Sequence, residues 1–117
     1  MDLRNYLGKI INIKIDRPAG SIHPKYKNLI YPINYGFVPG TKNNDDEEID
    51  VYILGTDKPL KKYQGKVIAV IHRLNDDDDK LIVSYNRKKF SDKEINQAIK
   101  FQEKYFKHII IRKRLEN

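Results

Sequence analysis

Polar and apolar residues alternate along Lys9–Asp16, with Ile11, Ile13 and Ile15 on one side and Asn12, Lys14 and Asp16 on the other. A period of two is the signature of a half-buried strand. Arg17-Pro18-Ala19-Gly20 ends it, because proline donates nothing to a ladder and glycine frees a turn. Leu29–Val38 is a second extended stretch, rich in aromatic and branched residues, with Pro32 marking an edge or a kink and Pro39-Gly40 closing it. Further strands are expected at Ile49–Leu54, Lys66–Arg73 and Lys80–Tyr85. The pattern then changes to a helical one. Ser91 with Glu94 forms a capping box, and Ile95, Ala98, Ile99, Gln102, Tyr105 and Phe106 follow at helical spacing, so a helix is expected over Asp92–Lys107. His108–Arg112 reads equally as a helix end or a sixth strand. Short strands between Gly, Pro and Asp turns suit a small barrel better than a parallel sheet. The expected fold is mainly β (α+β), a five-stranded OB-like closed barrel with one C-terminal packed helix.

A chain of 117 residues is one domain, residues 1–117, and can bury a real core. No apolar run approaches a membrane span, and residues 1–8 lack the apolar centre of a secretion signal. The absence of cysteine excludes disulfides, thiolate metal sites and a cysteine nucleophile, and it fits a cytoplasmic location. No Ser/His/Asp set and no Gly-rich phosphate loop is apparent. Charge changes the picture more. Lys and Arg number 23 against 16 acids, a net of +7. Nine of the 16 acids fall in two short runs, Asp45–Asp50 and Asp76–Asp79. A basic body suits an anionic partner. Carboxylate knots inside it repel themselves unless a cation neutralises them. Spacing alone leaves two readings open: a metal site, or two solvated loops.

The chemistry concentrates in Tyr31-Pro32-Ile33-Asn34-Tyr35-Gly36-Phe37-Val38-Pro39 and in the acidic run that follows it. Asp45 and Glu47 share a face in extended chain, and a turn through Glu48 can bring Asp50 back to them. Such a set of oxygens suits a hard cation such as Mg²⁺. The EF-hand order fails, because the sixth position from Asp45 is Asp50 and not glycine.

Taken in order, the Tyr31–Pro39 string, Asp45-x-Glu47-Glu48-Ile49-Asp50-Val51 and Asp76-x-Asp78-Asp79-Lys80 resemble the soluble inorganic pyrophosphatases of the magnesium-dependent barrel class, over roughly Lys9 to Lys107. The resemblance implies Asp45, Asp50, Asp76 and Asp78 as ligands of Mg²⁺, with Mn²⁺ as a substitute, and Asp16 as a further acid near the metals. It implies Glu47, with Asp50, as the catalytic pair serving the attacking water. It also implies Lys25, Tyr35, Lys80 and Tyr105 as contacts to a small anionic phosphate substrate.

The departures are specific. Glu47 stands where the family has aspartate. A hairpin carrying a phosphate-binding arginine is missing between Lys27 and Ile30, which makes Arg17 on the opposite strand the candidate replacement. Phe106 follows the helix tyrosine in place of lysine, and Lys107 comes one position late. The expected activity is hydrolysis of inorganic pyrophosphate to two phosphates, slower than in a full-length family member. The competing readings are a hydrolase of another pyrophosphate compound such as a nucleotide, and a non-catalytic OB-like module for nucleic acid. The last is disfavoured because carboxylates repel a phosphate backbone. No membrane partner is expected, and a homo-oligomer is left open.

Overall fold

Ile11, Ile13 and Ile15 do point together, into the interior of a closed barrel. The structure is a computed structural model and describes residues 2–113. A short 3-10 helix, Leu3–Tyr6, precedes strands β1 (Ile10–Arg17), β2 (Asn34–Val38), β3 (Ile49–Leu54), β4 (Lys62–Arg73) and β5 (Lys80–Ser84). Helix α1 (Asp92–Glu103) and strand β6 (His108–Ile111) follow. The sheet order is β1-β2-β3-β5-β4-β6, and β4 also pairs with β1, which closes a five-stranded barrel and leaves β6 as an added outer strand. All pairs are antiparallel except β3–β5, which runs parallel.

The boundaries differ from the sequence pattern in three instructive places. Only Asn34–Val38 of the expected Leu29–Val38 strand joins the barrel. The residues before it fold back as a small hairpin, with Ile22 bridging Ile30 and Tyr31 N–H donating to the Ser21 carbonyl at 2.9 Å. β4 starts four residues early, at Lys62, because Lys62 to Lys66 pair with β1 although they are mostly polar. Helix α1 stops at Glu103 rather than Lys107, and the segment His108–Ile111 becomes β6, paired with Val70–Arg73. The capping box forms as expected, Ser91 Oγ accepting from Glu94 N–H at 3.1 Å and Glu94 Oε1 from Ser91 N–H at 2.9 Å.

Two apolar layers result from the period of two. Val51, Ile53, Val67, Leu81 and Val83 fill the barrel with the β1 isoleucines. Tyr52, Leu54, Ala69, Ile71 and Ile82 face outward and are covered by Ile95 and Ile99 of α1. β3 and β5 are therefore buried on both faces, which is why they read as nearly continuous apolar runs. The outward phase also carries Asp50, two before Tyr52, Lys80, two before Ile82, and Arg73, two after Ile71. The helix covers one part of that outer face and leaves these polar positions beside it.

Two residues of the Asn34-Tyr35-Gly36 string are explained by packing. β2 lies so close to β1 at Gly36 that a Cβ there would run into the Lys14 carbonyl oxygen. Asn34 is buried; its Oδ1 accepts from Ala19 N–H at 3.0 Å and Leu60 N–H at 2.9 Å, and its Nδ2 donates to the Lys58 carbonyl at 2.9 Å. It clamps the loops after β1 and β3 to the barrel. Asn34→Ala is expected to cost about 3 kcal/mol, since a buried and a half-buried N–H group lose their acceptor. Urea denaturation would show it, and a loss under about 1 kcal/mol would remove the clamp role.

Candidate functional site

A cavity of about 1250 Å³ opens on the outer face of the barrel between the 18–33 loop and the C-terminal end of α1. Charged and polar groups from all five barrel strands meet along it: Asp16 from β1, Tyr35 from β2, Asp50 from β3, Arg73 from β4, Asp78 from the β4–β5 loop and Lys80 from β5. Parallel pairing sets Lys80 beside Asp50 in register. The Lys80 ammonium, only 2% exposed, lies 2.6 Å from Asp50 Oδ2 and 2.7 Å from Asp78 Oδ2. It holds the two carboxylates together and lies 5.5 Å from the Tyr35 ring centroid.

Arg73 is a second buried cation, 5% exposed. Its Nε and Nη2 donate to Glu103 at 3.0 and 2.7 Å, and Glu103 is fully buried. Nη1 faces the other way, 3.3 Å from Asp76 and 3.5 Å from Asp78, and the guanidinium stacks 3.7 Å from the centroid of Phe106. Tyr52 donates to Glu103 Oε2 at 2.6 Å and accepts from Gln102 Nε2 at 2.6 Å. Burial alone would lower the Arg73 pKa, but its bonds to Glu103 and the Asp78 charge raise it above the ordinary value, so it stays charged.

The other titrating groups follow the same physics. Burial, then the Asp50 and Asp78 charges, push the Tyr35 hydroxyl well above its usual pKa and keep it a donor. Burial raises Asp16, the Arg17 charge opposes it, and the Asp50 and Glu48 charges add to the rise. Arg17 Nη1 is 3.8 Å from Asp16 Oδ2.

The cavity thus brings together Asp16, Arg17, Tyr35, Asp50, Asp78, Lys80 and, at its mouth, Tyr105, which is 69% exposed. Lys25, Asp45, Glu47 and Asp76 do not line it. Lys25 is exposed beside Tyr26. Asp45 and Glu47 sit in an exposed loop, where Asp45 Oδ1 accepts from Glu47 N–H at 3.0 Å. Buried Asn43 ties that loop to the second acidic run by donating to the Asp79 carbonyl at 2.9 Å. Asp76 accepts from Asp78 N–H at 2.9 Å and shapes the second loop.

Arg73, Glu103, Tyr52 and Gln102 were not singled out by sequence reasoning. Glu103 had a readable signal: it continues the Ile95, Ile99 stripe by four residues, so an acid occupies a core position.

A hard cation fits the donor set. Asp78 Oδ1 is buried with no hydrogen-bond partner among the described residues, and such an orphan calls for an ion or a water. It shares the cavity with the oxygens of Asp50 and Asp16. Among the described residues no three His, Cys, Asp or Glu side chains already converge as a metal-binding group. A cation would therefore be held chiefly by the Asp50–Asp78 pair, with Asp16 close enough to feel the Asp50 charge.

Comparison with known proteins bears on what this cavity belongs to. The family model described as inorganic pyrophosphatase matches residues 9–111. An inorganic pyrophosphatase of Saccharolobus solfataricus is 30% identical over 80 residues, covering 66% of this chain and 43% of that protein. One of Neisseria meningitidis is 34% identical over 95 residues, covering 64% of this chain and 53% of that protein. The chain spans about half the length of these curated relatives. The crystal structure of an inorganic pyrophosphatase from Neisseria gonorrhoeae superposes with a TM-score of 0.65 at 24% identity, covering 89% of this chain and 81% of that one, a likeness of fold. No helix among the described residues is long and apolar enough to cross a membrane. With a family match running from just before β1 to the end of β6, and a barrel fold of the same kind, this chain belongs to the inorganic pyrophosphatase family.

Proposed function

We propose that the chain hydrolyses inorganic pyrophosphate to two phosphates with Mg²⁺ or Mn²⁺. The observation that carries the reading is the single cavity in which the oxygens of Asp16, Asp50 and Asp78 meet the cations Lys80, Arg73 and Arg17. A phosphoanhydride resists water because its own charge repels a nucleophile. Mg²⁺, when bound, neutralises that charge and lowers the pKa of a coordinated water. The chain's residues do the rest by positioning and electrostatics. Asp50 and Asp78 would hold the cation, with Asp16 beside them in the cavity; Asp45 and Asp76, which lie on the two acidic loops outside it, are further donors only by the family resemblance. Lys80 keeps the two central carboxylates close. Arg17, Lys80, Lys25 and the hydroxyls of Tyr35 and Tyr105 take the phosphate oxygens; the raised pKa of Tyr35 keeps its proton available for donation. Glu47, on the exposed acidic loop outside the cavity, is the acid that the family resemblance assigns to the attacking water, and that role needs the loop to bring it to the cavity.

Phosphate release from pyrophosphate, followed with and without Mg²⁺ or Mn²⁺, tests the reading. Metal-dependent release is expected, and none with either metal would overturn it. Glu47→Asp tests the role of that acid separately. Shortening the side chain by one methylene moves the carboxylate by about 1 Å, which can cost up to roughly a hundredfold in rate. An unchanged rate would remove Glu47 from the mechanism.

A further inference from the structure

Pyrophosphate contains no ring, yet aromatic rings line the way from the carboxylates to the mouth of the cavity. Tyr35 lies against Tyr52 with centroids 5.0 Å apart, and Tyr31 stacks on Tyr35 at 5.5 Å. His23 lies 6.1 Å from Tyr31 with its plane tilted by only 10°, and Tyr26 follows His23 at 4.9 Å. The column runs from fully buried Tyr52 to Tyr26, which is 58% exposed. Its outer end is pre-set. His23 Nδ1 accepts from the backbone N–H groups of Lys25 at 3.0 Å and Tyr26 at 3.1 Å, so the ring is fixed before any ligand arrives. Lys27 and Lys104 line the same wall and favour an anion. The cavity, about 1250 Å³, exceeds the roughly 300–1,000 Å³ typical of sites for drug-sized ligands, and a bare diphosphate would leave most of it to water.

We propose that this cavity also binds a nucleoside 5′-diphosphate, its diphosphate at the Asp50–Lys80–Asp78 end and its base stacked on the exposed ring of Tyr26, in competition with pyrophosphate. The proposal rests on the reading of the Asp50–Lys80–Asp78 end as a diphosphate site. A second observation supports it independently of that reading. Tyr26 and Ile30 of the 18–33 loop line the cavity and are more than half exposed, an apolar surface that solvent alone does not explain.

Binding of ADP and of methyl diphosphate, which has the same charged end and no base, is measured by calorimetry on the full chain with Mg²⁺. Pyrophosphate hydrolysis is followed in parallel. ADP is expected to bind about tenfold tighter or more, the effect of one base stacked on an aromatic side chain. Tyr26→Ala should bring the ratio towards one, and Tyr26→Phe should keep it. Equal affinities in the unmodified protein, or a ratio unmoved by Tyr26→Ala, would overturn the proposal. So would a Tyr26→Ala variant that turns a dimer into a monomer without moving the ratio, since the mouth would then belong to a second copy. A single-stranded oligonucleotide without a diphosphate that binds as tightly as ADP would overturn it as well. Pyrophosphate hydrolysis with no ADP preference would sink this inference and leave the hydrolase reading standing. An ADP preference without pyrophosphate hydrolysis would do the reverse.

Discussion

Arg73→Met is expected to destabilise the fold by about 3–5 kcal/mol, because it strands the fully buried Glu103 carboxylate without its counter-charge. Glu103→Leu should cost less, since Arg73 keeps Asp76 and Asp78 beside Nη1 while Nε and Nη2 lose their acceptor. The double change, Arg73→Met with Glu103→Leu, should recover most of the loss, since two apolar side chains of similar bulk can replace a buried pair at little net cost. The informative quantity is the coupling energy from urea denaturation of the four proteins. Singles that each lose less than about 1 kcal/mol, or a double that loses their full sum, would count against a coupled pair. The physical reason for so large an effect is position. The pair joins the end of β4 to the last turn of α1, and Tyr52 and Gln102 complete its hydrogen bonds. Among the described residues no other charged contact between strand and helix is as thoroughly shielded from water.

Asp50→Asn should produce the largest loss of activity. Removing a residue that merely supports a metal ligand costs roughly ten- to a hundredfold, so loss of a direct oxygen donor should reach at least about a hundredfold in kcat/KM. Stability should hardly change. Asparagine keeps the shape, and Lys80 retains its 2.7 Å contact to Asp78. The measurement is pyrophosphate hydrolysis over a range of Mg²⁺ concentrations, with thermal unfolding as the control for folding. The same magnesium dependence in the variant would remove Asp50 from the cation site. A large fall in melting temperature would mean that Asp50 acts on the fold through Lys80.

These expectations depend on contacts of unequal legibility. β3 could be read from the chain at its full length, Ile49–Leu54, because a strand buried on both faces writes itself as an apolar run. The helix start was equally legible from Ser91 and Glu94, two residues whose bonds are local. Its end was not. Tyr105 and Phe106 keep the helical spacing after the chain has turned towards β6, so periodicity overran a boundary set by pairing with β4. The acidic runs were visible as loops, and the family resemblance drew attention to seven of the residues that line the cavity, Asp16, Arg17, Tyr35, Asp50, Asp78, Lys80 and Tyr105. The link between Asp50 and Lys80 was beyond a local reading, since it depends on parallel pairing between segments thirty residues apart. Arg73 looked like the polar end of an apolar strand. Its direction, onto the outer face beside the helix, follows only from the phase of Ala69 and Ile71, and its partner sits on another element.

Barrel closure has a consequence for biosynthesis. A ribosome releases β1 first, but β1 needs β4 for its second neighbour, and β3 needs β5. Until Ser84 has emerged, β4, β1, β2 and β3 form at most an open sheet with two free edges and with the face of Ile11, Ile13 and Ile15 unclosed. Translation at roughly 5–20 residues per second makes that interval on the order of several seconds. Closure through such distant pairings is itself slow, in the millisecond-to-second range. The barrel therefore cannot assemble strand by strand as it is made. It must condense after synthesis of β5, and any chain stalled before Lys80 presents a long, apolar, edge-exposed segment to chaperones and proteases.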